Sequence, residues 1–239
     1  MKHKTTFPAG FDETREEIHR QMLSAVSHDL KTPLATIIGS LEVYTRMEEK
    51  LPPEKKLMLI KSALGEAYRL DNFVTNILDM AKLENGMVKI TSQRCDLTAL
   101  LQDSVIRLGP RAEKSTITLE LHGVSMLQTD PMLLGRAAGI LLDNALKHAG
   151  KNPVIVIDYG KDDNDFYIKV RDNGAGVPTQ KMEEIFSKYT RFSRNDQQNA
   201  GTGLGLPICR QIMALLSGSV NVKNAAQGGA EFTLCFPSN

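Results

Sequence analysis

The segment Ser27-His28-Asp29-Leu30-Lys31-Thr32-Pro33-Leu34 sets an imidazole, a carboxylate, an ammonium and a hydroxyl within about two helical turns. Around it Met22, Val26, Leu30, Ile37, Leu41 and Tyr44 recur at the spacing of a helix that packs one side against partners. His28 falls midway between Val26 and Leu30, on roughly the opposite face, and Lys31 and Thr32 share that face at i+3 and i+4. A reactive cluster is thus offered to solvent. Pro33 has no amide hydrogen for the carbonyl of Asp29, so a kink or loosened turn is expected one step from His28. Taken alone, the segment reads most simply as a surface histidine on a solvated helix.

Four later elements share a second chemistry. In Leu141-Leu142-Asp143-Asn144-Ala145-Leu146-Lys147-His148, residues Asn144, Lys147 and His148 fall at i, i+3 and i+4 near a helix end. An amide, an ammonium and an imidazole on one face suit phosphate oxygens and a hydrated Mg²⁺. Polar residues ending a buried helix are the plain alternative. Asp172-Asn173-Gly174-Ala175-Gly176 follows a strand and puts a carboxylate beside Gly174 and Gly176, where backbone can approach a flat ligand; an ordinary turn explains it almost as well. Phe186-Ser187-Lys188-Tyr189, with Arg191 and Phe192 behind it, reads by itself as a loop pinned by aromatics. Gly201-Thr202-Gly203-Leu204-Gly205 opens a helix, where exposed amides and the helix dipole favour phosphate. Its spacing is neither the Rossmann Gly-x-Gly-x-x-Gly nor a Walker loop.

The elements that must position these groups are legible from periodicity. Residues 1–11 lack it and read as a flexible lead-in; a helix is expected from Asp12 to Glu48, on the order of 50 Å long. Leu51-Pro52-Pro53 breaks it. A second helix carries Leu57, Ile60, Leu64, Ala67, Leu70, Val74, Ile77 and Ala81 as a packing seam, and Asn85-Gly86 stops it. Two helices cannot bury both stripes, so the antiparallel hairpin of residues 12–85 is expected to dimerise into a four-helix bundle. From residue 86 to 239 an α+β sandwich is expected, a mixed sheet with helices on one face. Its strands are placed near Met87–Gln93, Thr116–Leu121, Val154–Tyr159, Phe166–Arg171, Ser219–Lys223 and Glu231–Phe236. Its helices are placed at Leu97–Leu108, Pro131–Lys147 and Leu204–Leu216.

Composition narrows the class. With 41% hydrophobic and 24% charged residues over 239 positions, the chain is an ordinary globular one. A net charge of +1 argues neither for nucleic acid nor for an anionic membrane surface. No apolar run approaches the roughly 18 residues of a membrane span. Cys95, Cys209 and Cys235 are scattered in apolar stretches and read as buried thiols of a reducing compartment.

The histidine segment followed by the four elements, in that order and covering the chain from about residue 13, resembles the sensor histidine kinases of bacterial two-component systems. In that family's terms the motifs look like the H, N, G1, F and G2 boxes. His28 to Pro33, Leu141 to Ala145 and Gly203-Leu204-Gly205-Leu206-Pro207-Ile208-Cys209-Arg210 look most like the Kdp-type potassium-responsive sensors.

The resemblance implies a Bergerat (GHKL) ATP-binding domain in which Asp172 accepts from the adenine amino group and Asn144 ligates Mg²⁺. Lys147 and His148 approach the phosphates. Gly174, Gly176, Tyr189, Arg191 and the Gly201, Thr202, Gly203, Leu204, Gly205 run complete the ATP site, with 187–203 as a mobile lid. His28 attacks the γ-phosphate, helped by Asp29, and passes the phosphoryl group to an aspartate of a separate response regulator. Thr32 matches the position that aligns water for dephosphorylating that regulator, so phosphatase activity belongs to the same expectation. The implied setting is cytoplasmic, with any membrane attachment through a sensor region outside this chain.

One departure stands out: many relatives carry an asparagine four residues before Asn144, where this chain has Ile140. Two other readings compete. An ATPase of the gyrase, Hsp90 or mismatch-repair type would lack the His28 hairpin, and a dimeric nucleotide-binding scaffold would transfer nothing.

Overall fold

A computed structural model describes residues 10–123, 125–150, 152–162, 165–188 and 203–237. It divides into two compact units that meet at Thr75 and Asn76.

The first unit is built from two long helices, α1 (Gly10–Met47) and most of α2 (Pro53–Glu84), joined by residues 48–52. Leu51-Pro52-Pro53 separates them as expected, with Pro53 taking the first helical position, where its missing amide costs nothing. α1 is assigned without a break across Pro33, whose ring is buried. The apolar spacing identified a different stripe from the one this chain covers. Ala63 and Phe73 are buried, whereas Leu57, Ile60, Leu64 and Val74 of the expected seam are exposed, as are Leu34, Ile38 and Leu41 on α1. A bundle helix needs two apolar faces, and periodicity does not say which of them is filled within one chain.

At the end of α2 the amides of Gly86 and Met87 bond back to the carbonyls of Leu83 and Lys82, and Gly86 takes φ +61°, a conformation that favours glycine. The side chain of Asn85 donates to the Ala81 carbonyl at 2.7 Å.

The second unit begins with the last turns of α2. It continues through β1 (Gln93–Asp96), α3 (Leu97–Ile106), β2 (Thr116–His122), β3 (Met126–Thr129), α4 (Pro131–His148), β4 (Val154–Lys161) and β5 (Asp165–Asp172). It ends with α5 (Gly205–Leu215), β6 (Ser219–Asn224) and β7 (Ala230–Pro237). β1 and β3 form a small antiparallel pair, and the main sheet runs β2-β4-β5-β7-β6. Only β2–β4 is parallel, so the sheet is mixed as expected.

The strand expected over Met87–Gln93 is not there. Pairing starts at Gln93 because the partner, β3, is only four residues long, and Met87 and Ile90 remain exposed. β3 itself escaped periodicity, being too short to alternate.

Register fixes the inner face of the sheet. Tyr159 faces Ile168, which faces Leu234, which faces Val220, and these residues are buried under the helices. From the helices come Leu97 and Leu101 of α3, Leu134, Leu141 and Leu142 of α4, and Ile208, Ile212 and Met213 of α5, all at most 2% exposed. Each such side chain is worth about 1.5–3 kcal/mol of burial. Cys95 and Cys209 are buried as expected, but Cys235 is only half-buried, because its position alternates with Leu234 and Phe236 and so faces away from the core.

Candidate functional site

Along β5 the core-facing positions are Phe166, Ile168, Val170 and then Asp172, which therefore takes an inward slot at the strand's last residue. Its carboxylate is 4% exposed. Oδ1 accepts from the Gly174 amide at 2.8 Å and the Ala230 amide at 3.3 Å. Oδ2 has no such bond among the described residues, yet it is not one of the sealed, unpartnered atoms. A buried carboxylate with one oxygen fixed by backbone amides and the other open is an acceptor prepared for a ligand's N–H.

The glycines beside it serve the protein's own backbone. A Cβ on Gly174 would lie 2.1 Å from the carbonyl of His148, and one on Gly229 would lie 1.9 Å from that of Asp172. Gly176 has φ +76° and approaches Asn224, whose side chain bonds both main-chain groups of Val177 at 2.8 Å. The end of α4, the Asp172 loop and the β6–β7 turn are therefore held at backbone contact. Nothing local in the sequence marks the contact at Gly229.

α4 starts at Asp130, whose Oδ1 caps the amides of Met132 and Leu133 at 3.0 and 3.1 Å. Its far end carries the expected trio. Asn144 is half-buried, and its amide makes no hydrogen bond among the described residues; His148 is exposed. Lys147 is engaged within the protein, its Nζ 2.5 Å from Asp143 Oδ2, and Arg111 pairs with Oδ1 of the same carboxylate. Burial alone would raise the pKa of Asp143, but Lys147 and Arg111 together outweigh it and hold the carboxyl below its usual range. The acid-before-base spacing of Asp143 and Lys147 at i, i+4 was the available signal for that pair; Arg111, distant in sequence, gave none.

α5 begins without a side-chain cap, its N-cap being Leu204, and Gly203 takes φ +67° just before it. Leu204 is fully buried, so only its main chain can face a ligand. A Cβ on Gly205 would lie 3.3 Å from Ile140 Cγ2, so Ile140 fills the space between α4 and the start of α5. Phe186 is buried edge-on against Phe232 with Arg210 stacked over its ring at 4.4 Å, so that segment is pinned by aromatics. Tyr189, Arg191, Gly201 and Thr202 lie outside the described residues, and of His28 only the helical backbone is described.

A buried, half-committed carboxylate, an amide at a helix end and an uncapped helix start thus lie in one unit that follows a helical segment bearing His28. Residues 18–86 match the family described as "His Kinase A (phospho-acceptor) domain". Residues 129–239 match "Histidine kinase-, DNA gyrase B-, and HSP90-like ATPase". The chain belongs to the sensor histidine kinases.

This histidine kinase chain is 33% identical over 93% of its length to the sensor protein KdpD of Escherichia coli K12, of which it spans only 25%. Among solved structures it is similar in fold to histidine kinase ThkA in complex with response regulator protein TrrA, with TM-score 0.70, 22% identity, and coverage of 99% of this chain and 68% of that one. ShkA in complex with AMPPNP gives TM-score 0.65 and 23% identity, covering 91% and 45% of the two chains.

Proposed function

We propose that the chain is the catalytic portion of a protein-histidine kinase that phosphorylates its own His28 from ATP and hands the phosphoryl group to an aspartate of a response regulator. The observation that carries the reading is the presence in one chain of a phospho-acceptor segment and of a buried Asp172 whose Oδ1 is fixed by backbone amides while Oδ2 makes no such bond among the described residues. In the first step a P–N bond forms at the His28 imidazole as the bond to the bridging oxygen of ADP breaks. Asp29 orients the ring and receives its proton. ATP sits with its adenine amino group on Asp172 and its phosphates toward the uncapped start of α5. His148 reaches them directly, and Lys147 does so on leaving Asp143. Gly203 and Gly205 present main chain, while Tyr189, Arg191, Gly201 and Thr202 close the site.

The side-chain amide of Asn144, which makes no hydrogen bond among the described residues, fits Mg²⁺, which takes hard oxygen ligands and keeps water and substrate phosphate in most of its positions. When bound, the ion neutralises phosphate charge. That one solved relative holds AMPPNP and another a response regulator supports ATP as substrate and a receiver domain as partner.

The lead-in is assigned to residues 1–11, the phosphotransfer domain to 12–85 and the ATP-binding domain to 86–239. The exposed Leu34, Ile38 and Leu41 of α1 and Leu57, Ile60 and Leu64 of α2 support dimerisation of the hairpin. Thr32 supports regulator dephosphorylation as a second activity. Among the described residues no helix is long and apolar enough to cross a membrane. The chain's small share of KdpD supports a cytoplasmic part of a longer bacterial sensor.

Asn144→Asp tests the assignment. Labelling from γ-labelled ATP should be lost while the unfolding temperature stays near that of the parent chain, and undiminished labelling would refute the metal position.

A further inference from the structure

Arg136 lies on α4 about two turns before Asn144, and its guanidinium is committed to α2. Nε donates to Asp79 Oδ2 at 2.9 Å, and Nη2 reaches the same oxygen at 2.9 Å and donates to Asn76 Oδ1 at 2.7 Å. Asn76 and Asp79 stand at i, i+3 and present two acceptors side by side, which suits the rigid fork of an arginine. Both members of the ion pair are about one-third exposed, so the geometry, more than the charge, sets the contact.

Two further fastenings act on the same stretch. The amide of Thr91 donates at 2.7 Å to Asp130 Oδ2, while the other oxygen of Asp130 caps α4. Asp130 is 5% exposed, so this three-way acceptor is shielded from water. At the last residue of α2, Glu84 pairs with Lys188, two residues past Phe186. The stretch from Asn76 to Thr91 is therefore tied to α4 at both its start and its end, and the junction between the compact units falls inside α2, well before Gly86.

We propose that Arg136 is a positioning residue: with Asp79 and Asn76 it makes the last turns of α2 a rigid part of the nucleotide-binding unit. The last turns of α2 then move with the ATP helix rather than swivelling at Gly86. The consequence for rate rests on the kinase reading above; the consequence for structure does not.

The test compares the full chain with Arg136→Ala and with Asp79→Asn, which keeps the shape and removes the charge. In amide hydrogen exchange, residues 76–84 should lose at least tenfold in protection in Arg136→Ala and less than that in Asp79→Asn, while residues 57–72 and strands β4 and β5 keep theirs. ATP affinity by direct titration should stay within twofold. At saturating ATP the autophosphorylation rate should fall at least tenfold with KM for ATP unchanged, and the swapped pair Arg136→Asp with Asp79→Arg should recover both signals. Unchanged exchange at 76–84 would overturn the proposal, as would a rate loss that merely follows weaker ATP binding. If the parent chain does not label at all, the kinase reading fails and the exchange arm still decides the clamp.

Discussion

Replacing Gly174 by alanine adds one methyl group where the protein has no room for it. The new Cβ would lie 2.1 Å from the His148 carbonyl oxygen and 2.9 Å from Asp172 Oδ1, where ordinary contacts begin at 3.4 Å. Neither neighbour is the free end of a flexible side chain: one is backbone and the other is a buried carboxylate. Either the end of α4 retreats by more than an ångström or the 2.8 Å bond from the Gly174 amide to Asp172 opens. Overpacking of this kind costs about 1–3 kcal/mol, and losing the bond adds about 1 kcal/mol. For a unit of this size each kcal/mol lowers Tm by about 2–4 °C, so a drop of roughly 4–16 °C is expected.

Because the same movement displaces Asn144, ATP binding should weaken. Autophosphorylation should fall further still, since misplacement by about 1 Å at a reacting centre costs on the order of 100-fold. Gly139→Ala supplies the control on the same helix. Nothing lies within 4 Å of its added Cβ, and alanine is favoured over glycine in a helix interior by about 1 kcal/mol. Thermal unfolding and ATP titration of the two variants decide the matter. Parent-like Tm and affinity in Gly174→Ala, or equal damage from Gly139→Ala, would refute the backbone-contact account.

Two further outcomes follow from the geometry of α4. The folded-state pKa of Asp143 is depressed, so the stabilisation it supplies is complete above its unfolded value of about 3.8 and is lost as pH falls through the folded value; urea midpoints should show Asp143→Asn destabilised at neutral pH and converging on the parent below pH 3.8. Ile140→Asn, which restores the residue many relatives carry, should lower Tm by leaving an amide where Cγ2 now packs against Gly205. The expected penalty is about 1–3 kcal/mol in nucleotide-free protein, and an unchanged Tm would show that the position is not a packing site.

Elements whose information is local were legible in the sequence. Pro53, Gly86 and the Asp130-Pro131 helix start mark helix ends through backbone chemistry alone, and the strand over Phe166–Arg171 is marked by its own residues. What depended on distant partners was not legible. The β1–β3 pair is set by register across 29 intervening residues, and Gly229 is needed only because Asp172 folds against it. The Lys147–Asp143 pair, by contrast, is local, and its acid-before-base spacing is readable in the sequence. The exposed seam of α2 shows the same limit: periodicity identifies an apolar face, and a second chain decides whether it is covered.

The central claim is that His28 is the phosphoryl acceptor. The most direct measurement is peptide mapping of the chain after incubation with Mg²⁺ and γ-labelled ATP. The account predicts a single label on His28, stable in base, labile in acid and absent from His28→Gln. A label that survives His28→Gln, or ATP binding without any label in the parent chain, would contradict it.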